Sequence, residues 1–77
     1  MDIEFKDDYT KIGLKISYYR KIKSLTQEQL AEKLGCGVSF IGQIEAPNSH
    51  KAISLDTLFR IAKALDIPAY KLLYFEN

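Results

Sequence analysis

Residues 27–44 read Gln27-Glu28-Gln29-Leu30-Ala31-Glu32-Lys33-Leu34-Gly35-Cys36-Gly37-Val38-Ser39-Phe40-Ile41-Gly42-Gln43-Ile44. Thr26, just ahead, followed three residues later by Gln29, matches a capping box, so a helix is expected to start there. Leu30, Ala31 and Leu34 make its apolar face, and Gly35 ends it, because glycine adopts a left-handed turn at no steric cost. A second short helix is expected from about Val38 to Glu45, with Gly37 as its N-cap and Ile41 and Ile44 facing inward. Pro47 stops it, since the residue before a proline is disfavoured in helical conformation. Two helices cross closely at a wide angle only where the contact residues are small or well matched. Ala31 supplies the small side chain, Gly35 the sharp turn, and Leu30, Leu34, Cys36, Ile41 and Ile44 the shared apolar seam.

Outward from this pair the helical period continues, with no alternating strand pattern. Ile12, Ile16, Tyr19 and Ile22 predict a first amphipathic helix over about 9–23, capped by Asp7 or Asp8. After the polar loop Asn48-Ser49-His50-Lys51, Ser54 is placed to cap a helix with Leu55, Leu58, Ile61, Ala62 and Leu65 on its apolar face. Pro68 opens a short fifth helix containing Leu72 and Leu73. The expectation is a compact all-α fold of five helices. It forms one domain over 1–77, with 1–8 as an N-terminal extension, 9–73 as the core and 74–77 as a tail.

Composition narrows the function classes. A chain of 77 residues buries only roughly 60% of the surface its unfolded form exposes, so its core is thin. The single cysteine fits a reducing, cytoplasmic setting. No apolar run approaches the ~20 residues of a membrane span, and the N-terminus does not read as a signal peptide. Net charge is only +1, but the first eight residues hold four of the ten acids. The remainder is therefore basic, most densely between Lys11 and Lys23. Cys36 and His50 are the only thiol and imidazole, and Cys36 occupies a seam position where a small hydrophobe is expected. With no paired carboxylates, phosphate-cradling glycine loop or metal-ligand cluster, neither catalysis, a metal nor a cofactor is indicated.

The run Leu25-Thr26-Gln27-Glu28-Gln29-Leu30-Ala31, then Gly35, then Ile41 with Ile44-Glu45, resembles the Xre/Cro-type helix-turn-helix family. That family includes lambda-like phage repressors and restriction-modification controller proteins. Ser54 to Leu58 and Ile61 to Leu65 resemble the family's fourth helix, so the likeness runs from about Ile12 to Leu73. It implies a DNA-binding transcription regulator whose third helix enters the major groove. Geometry agrees: eight residues span about 12 Å, close to the ~12 Å width of that groove. With Ile41 and Ile44 inside, Val38, Ser39, Gly42 and Gln43 face outward as candidate base contacts. A Gln43 carboxamide suits adenine N6 and N7, Ser39 suits several bases, Val38 a thymine methyl, and Gly42 lets the helix lie close to the groove floor.

The resemblance also places Gln27 at a phosphate, beside the dipole and free N–H groups of a helix N-terminus. It sends the loop Asn48, Ser49, His50 and Lys51 past the DNA backbone, and it makes Arg20 and Glu45 a structural salt bridge. Ala46-Pro47, a longer loop, Gly37 and Val38 depart from the common pattern, which shifts specificity towards DNA shape. Phe40 is expected to pad the core. Tyr70, Tyr74 and Phe75 are candidates for a dimer interface, since aromatic patches often mark contacts. A homodimer on double-stranded DNA would read a near-palindromic operator, most simply as a repressor. The alternative is an antitoxin-like or other protein-interaction module on the same fold.

Overall fold

The computed structural model describes residues 4–48 and 51–75. Its elements are α1 (Lys6–Ile22), α2 (Gln27–Leu34), α3 (Val38–Glu45), α4 (Leu55–Leu65) and a closing 3-10 turn (Ala69–Leu72). Helix α1 packs on α3, α4 and the 3-10 turn, while α2 packs on α3 and α4. Between them lie Ile12, Ile16, Leu30, Ala31, Ile41, Ile44, Leu58, Ile61, Ala62, Leu65 and Leu72, all buried. Among the described residues there is no strand, and no helix is long and apolar enough to cross a membrane.

Local chemistry sets most of the boundaries. At α2 the Thr26 hydroxyl accepts from the Gln29 N–H at 3.0 Å, and the Gln29 side chain accepts from the Thr26 N–H at 2.8 Å. At α4 the Ser54 hydroxyl accepts from the Thr57 N–H at 3.1 Å. Three helices end in one and the same turn. At Ser24, Gly35 and Asp66 the backbone is left-handed, with φ of 60°, 70° and 57°. Each of these residues donates its N–H to the carbonyl three residues back, and the next residue donates to the carbonyl five back. This is the Schellman arrangement, which is usually accompanied by an apolar contact just after the turn. Leu25, Cys36 and Ile67 fill that place in turn, each packed against the core. Cys36 is therefore the helix-closing hydrophobe of α2, equivalent to Leu25 and Ile67.

Four features differ from the sequence expectation. Helix α1 begins at Lys6 with Phe5 as its uncapped N-terminal residue. Asp7 and Asp8 lie inside the first turn, where they complement the helix dipole instead of capping. Ile22, expected to face inward, is 55% exposed, because the left-handed turn at Ser24 follows it and carries Leu25 onto the core in its place. Leu55 at the first position of α4 is 63% exposed and Leu73 is 47% exposed. Both sit beyond the end of the core and border a shallow concavity with Phe5 and Tyr9. The fifth helix is a single 3-10 turn of four residues, which is the length at which that tighter winding is used.

Candidate nucleic-acid interface

Helix α3 is held from behind and turns one row outward. Ile41 and Ile44 are buried, while Val38, Ser39 and Gln43 are exposed and Gly42 is half-exposed. Four outward residues on two turns of helix form a surface only about 12 Å long. Phe40 is half-buried against the core, and the Lys51 ammonium stands 5.6 Å from the centre of its ring. That contact ties the α3–α4 connection to α3. Asn48 is exposed. Ser49 and His50 lie outside the described residues.

One carboxylate gathers three elements at the C-terminal end of α3. Arg20 of α1 donates through Nε to Glu45 Oε2 at 2.7 Å and through Nη2 to Glu45 Oε1 at 2.9 Å. Its Nη1 donates to the Leu25 carbonyl at 2.7 Å. The two side chains are only 10% and 6% exposed, so this is a forked, nearly dry ion pair. The hydrogen bond to Glu45 is the main reason the guanidinium is held further above its ordinary pKa, with burial opposing and the Glu45 charge assisting.

Glu45 Oε1 also accepts from Gln27 Nε2 at 3.0 Å. Gln27, at the start of α2, is thereby anchored beside α3: a Cβ built on Gly42 would lie 3.9 Å from its Oε1. A carboxamide nitrogen carries two hydrogens, and this bond uses one of those on Gln27. The network thus runs α1–α3–α2 and fixes the side chain closest to the outward row of α3.

A second close contact, at a residue the sequence reading did not single out, sets the distance between α1 and α3. Gly13 is buried in the middle of α1. A Cβ there would overlap the Ile44 carbonyl oxygen and stand 3.1 Å from the carbonyl carbon. A glycine inside an amphipathic helix costs roughly 0.5–1 kcal/mol relative to alanine, and that cost is the only trace it leaves in the sequence.

Of the three aromatics near the C-terminus, Tyr74 and Phe75 line one groove beside α1, and Tyr70 lies outside it. Tyr70 is 65% exposed and Tyr74 is 59% exposed. Phe75 is half-buried against the core, with the Lys11 ammonium 5.6 Å from the centre of its ring.

A helix-turn-helix family model matches residues 16–72, which takes in α2, α3, α4 and the scaffold beneath them. The chain belongs to the helix-turn-helix family. As a helix-turn-helix protein it is a sequence-specific DNA-binding transcription regulator. Control protein C.SmaI of Serratia marcescens is 39% identical over 72 residues, covering 94% of this chain and 83% of the relative. The crystal structure of the restriction-modification controller protein C.AhdI from Aeromonas hydrophila superposes with a TM-score of 0.80 at 32% identity. That match covers 90% of this chain and 97% of the other. A hypothetical transcription factor, NHTF from Neisseria, superposes with a TM-score of 0.79 at 26% identity, over 88% and 76% of the two chains. The family-model match begins at Ile16, after Gly13.

Proposed function

We propose that this helix-turn-helix protein is a cytoplasmic regulator of the restriction-controller kind, binding a near-palindromic operator as a homodimer. The observation that carries this reading is the outward row Val38, Ser39, Gly42 and Gln43 on a helix locked from behind by Ile41, Ile44 and the Arg20–Glu45–Gln27 network. The likeness to C.SmaI and C.AhdI supports the controller role. In the complex, α3 lies in the major groove and Gln43 bonds to adenine, with Ser39 and Val38 reading adjacent positions. Gln27 and Lys51 hold phosphates on either side, with Asn48, Ser49 and His50 supplying further backbone contacts.

One recognition helix touches few bases, and each good pairing contributes only about 1–3 kcal/mol of discrimination. Two copies about 34 Å apart double the readout. Of the aromatic candidates, exposed Tyr70 supplies apolar surface for that contact, while Tyr74 and Phe75 line the groove beside α1.

The test is selection of binding sites from a random duplex pool at about 0.15 M salt, repeated with Gln43→Ala. The expected product is a near-palindrome whose preference relaxes at one position per half-site in the variant, with a loss of about 1–3 kcal/mol per half-site. Binding without sequence preference would overturn the reading. An unsymmetrical site would overturn the homodimer.

Gly42→Ala separates stability from recognition. The added methyl meets only ordinary van der Waals contact, and alanine favours the helix by roughly 0.5–1 kcal/mol. The variant is expected to melt higher yet bind its operator more weakly, because the methyl stands between the helix and the groove floor. Unchanged operator affinity would remove Gly42 from the interface.

A further inference from the structure

The outer side of α1 is unlike the solvent face of an ordinary amphipathic helix. Lys11, Leu14, Lys15 and Tyr18 form one wall of an open groove of about 610 Å³, and Tyr74 and Phe75 form the other. Leu14 is 52% exposed and Tyr18 is 55% exposed. Among the described residues, no acidic side chain lines the groove. Its two ammonium groups rest over rings, Lys11 at 5.6 Å from Phe75 and Lys15 at 6.0 Å from Tyr18. The rings hold both charges along the groove without neutralising them. On the helical wheel Lys11, Lys15 and Tyr18 lie about 140–160° round the axis from Gly13, and Gly13 faces the end of α3. The groove therefore opens on the side of α1 turned away from the recognition helix.

Charge selects the occupant. A second copy seated here by two-fold symmetry would bring Lys11 and Lys15 against their own counterparts, which is repulsive. A nucleic-acid backbone would satisfy the lysines but leave Leu14, Tyr18 and Tyr74 against phosphates. A surface that is apolar along its floor and cationic along its edge complements a chain that is apolar on one side and acidic beside it. We propose that this groove docks an acidic amphipathic helix of a protein partner. Its apolar residues, three and four positions apart, seat between Leu14, Tyr18 and Tyr74, and its carboxylates pair with Lys11 and Lys15. This goes beyond DNA recognition and does not rest on it.

The probe is a synthetic stapled helix of about four turns, with leucines along one face and glutamates flanking them. It is titrated into the isotope-labelled full chain and followed by amide NMR shifts. Saturable shifts confined to residues 11–18 and 74–75 are expected. Lys11→Glu with Lys15→Glu should weaken binding at least tenfold, while operator binding and the circular dichroism spectrum stay unchanged. Because Lys11 also covers Phe75, Leu14→Ser with Lys15→Glu serves as a second variant that leaves that contact in place, and it should weaken the probe similarly. Absence of saturable shifts would overturn the proposal, as would equal binding of a probe carrying lysines for its glutamates. Equal shifts at these residues from a random DNA duplex would assign the groove to nucleic acid instead. Loss of the same signals on concentrating the free chain would assign it to a second copy.

Discussion

Gly13→Ala is expected to lower the melting temperature by at least about 16 °C. The methyl would occupy the space of the Ile44 carbonyl oxygen, and the obstacle is backbone, so no side-chain rotation relieves it. To admit the methyl, α1 must lift from α3, and the lift pulls Ile12 and Ile16 out of a core that reaches zero exposure at Ile16 and Ile41. Overpacking a close contact costs typically about 1–3 kcal/mol and more where nothing gives way. Here at least about 4 kcal/mol is expected, at the diagnostic end of single substitutions. A chain of 77 residues holds only roughly 4–12 kcal/mol in total. Gly37→Ala is the control: it meets nothing within 4 Å and should melt close to the parent protein. A Gly13→Ala variant with a cooperative transition within a few degrees of the parent would show that α1 and α3 do not need this approach.

Glu45→Ala is the next largest effect. It leaves the Arg20 guanidinium, still bonded to the Leu25 carbonyl, nearly buried and without its anion. Removing one partner of a buried pair costs about 3–5 kcal/mol, against about 0–1 kcal/mol for an exposed one. For a domain of this size the larger figure corresponds to a fall in Tm of at least about 12 °C. A fall of only a few degrees would mean that the pair behaves as a surface bridge.

The double substitution Arg20→Met with Glu45→Leu removes both charges and fills the same volume, so most of the lost stability should return. Operator affinity should not return with it, because Gln27 loses the carboxylate that holds it beside Gly42. Thermal melts and operator titrations on the three proteins therefore separate the scaffolding role of the pair from its role in presenting Gln27.

The features legible from the sequence are those that depend on a few neighbouring residues. Thr26 with Gln29, Ser54, Gly35 and Pro47 mark helix ends because capping is a hydrogen-bond problem solved within one turn of backbone. The buried faces of α2, α3 and most of α4 follow from the fixed rotation per residue. The outward row Val38, Ser39, Gly42 and Gln43 was readable for the same reason, as the remainder of α3 once Ile41 and Ile44 are placed inside.

The turns at Ser24 and Asp66 were not legible, although they repeat the geometry at Gly35. Without glycine, a left-handed residue is tolerated only when the apolar residue after it, Leu25 or Ile67, has a core to enter. The same non-local cause left Ile22 and Leu55 exposed against their helical period, since an apolar face is buried only as far as a partner helix extends. The need for glycine at position 13 depends on a carbonyl 31 residues away in sequence. The groove on α1 depends on Tyr74 and Phe75 returning across it. Periodicity and capping thus determined which segments are helical and which residues α3 presents. The depth to which α1 sinks against α3, the network that holds Gln27, and the surface left open behind α1 were decided only by packing distant segments together.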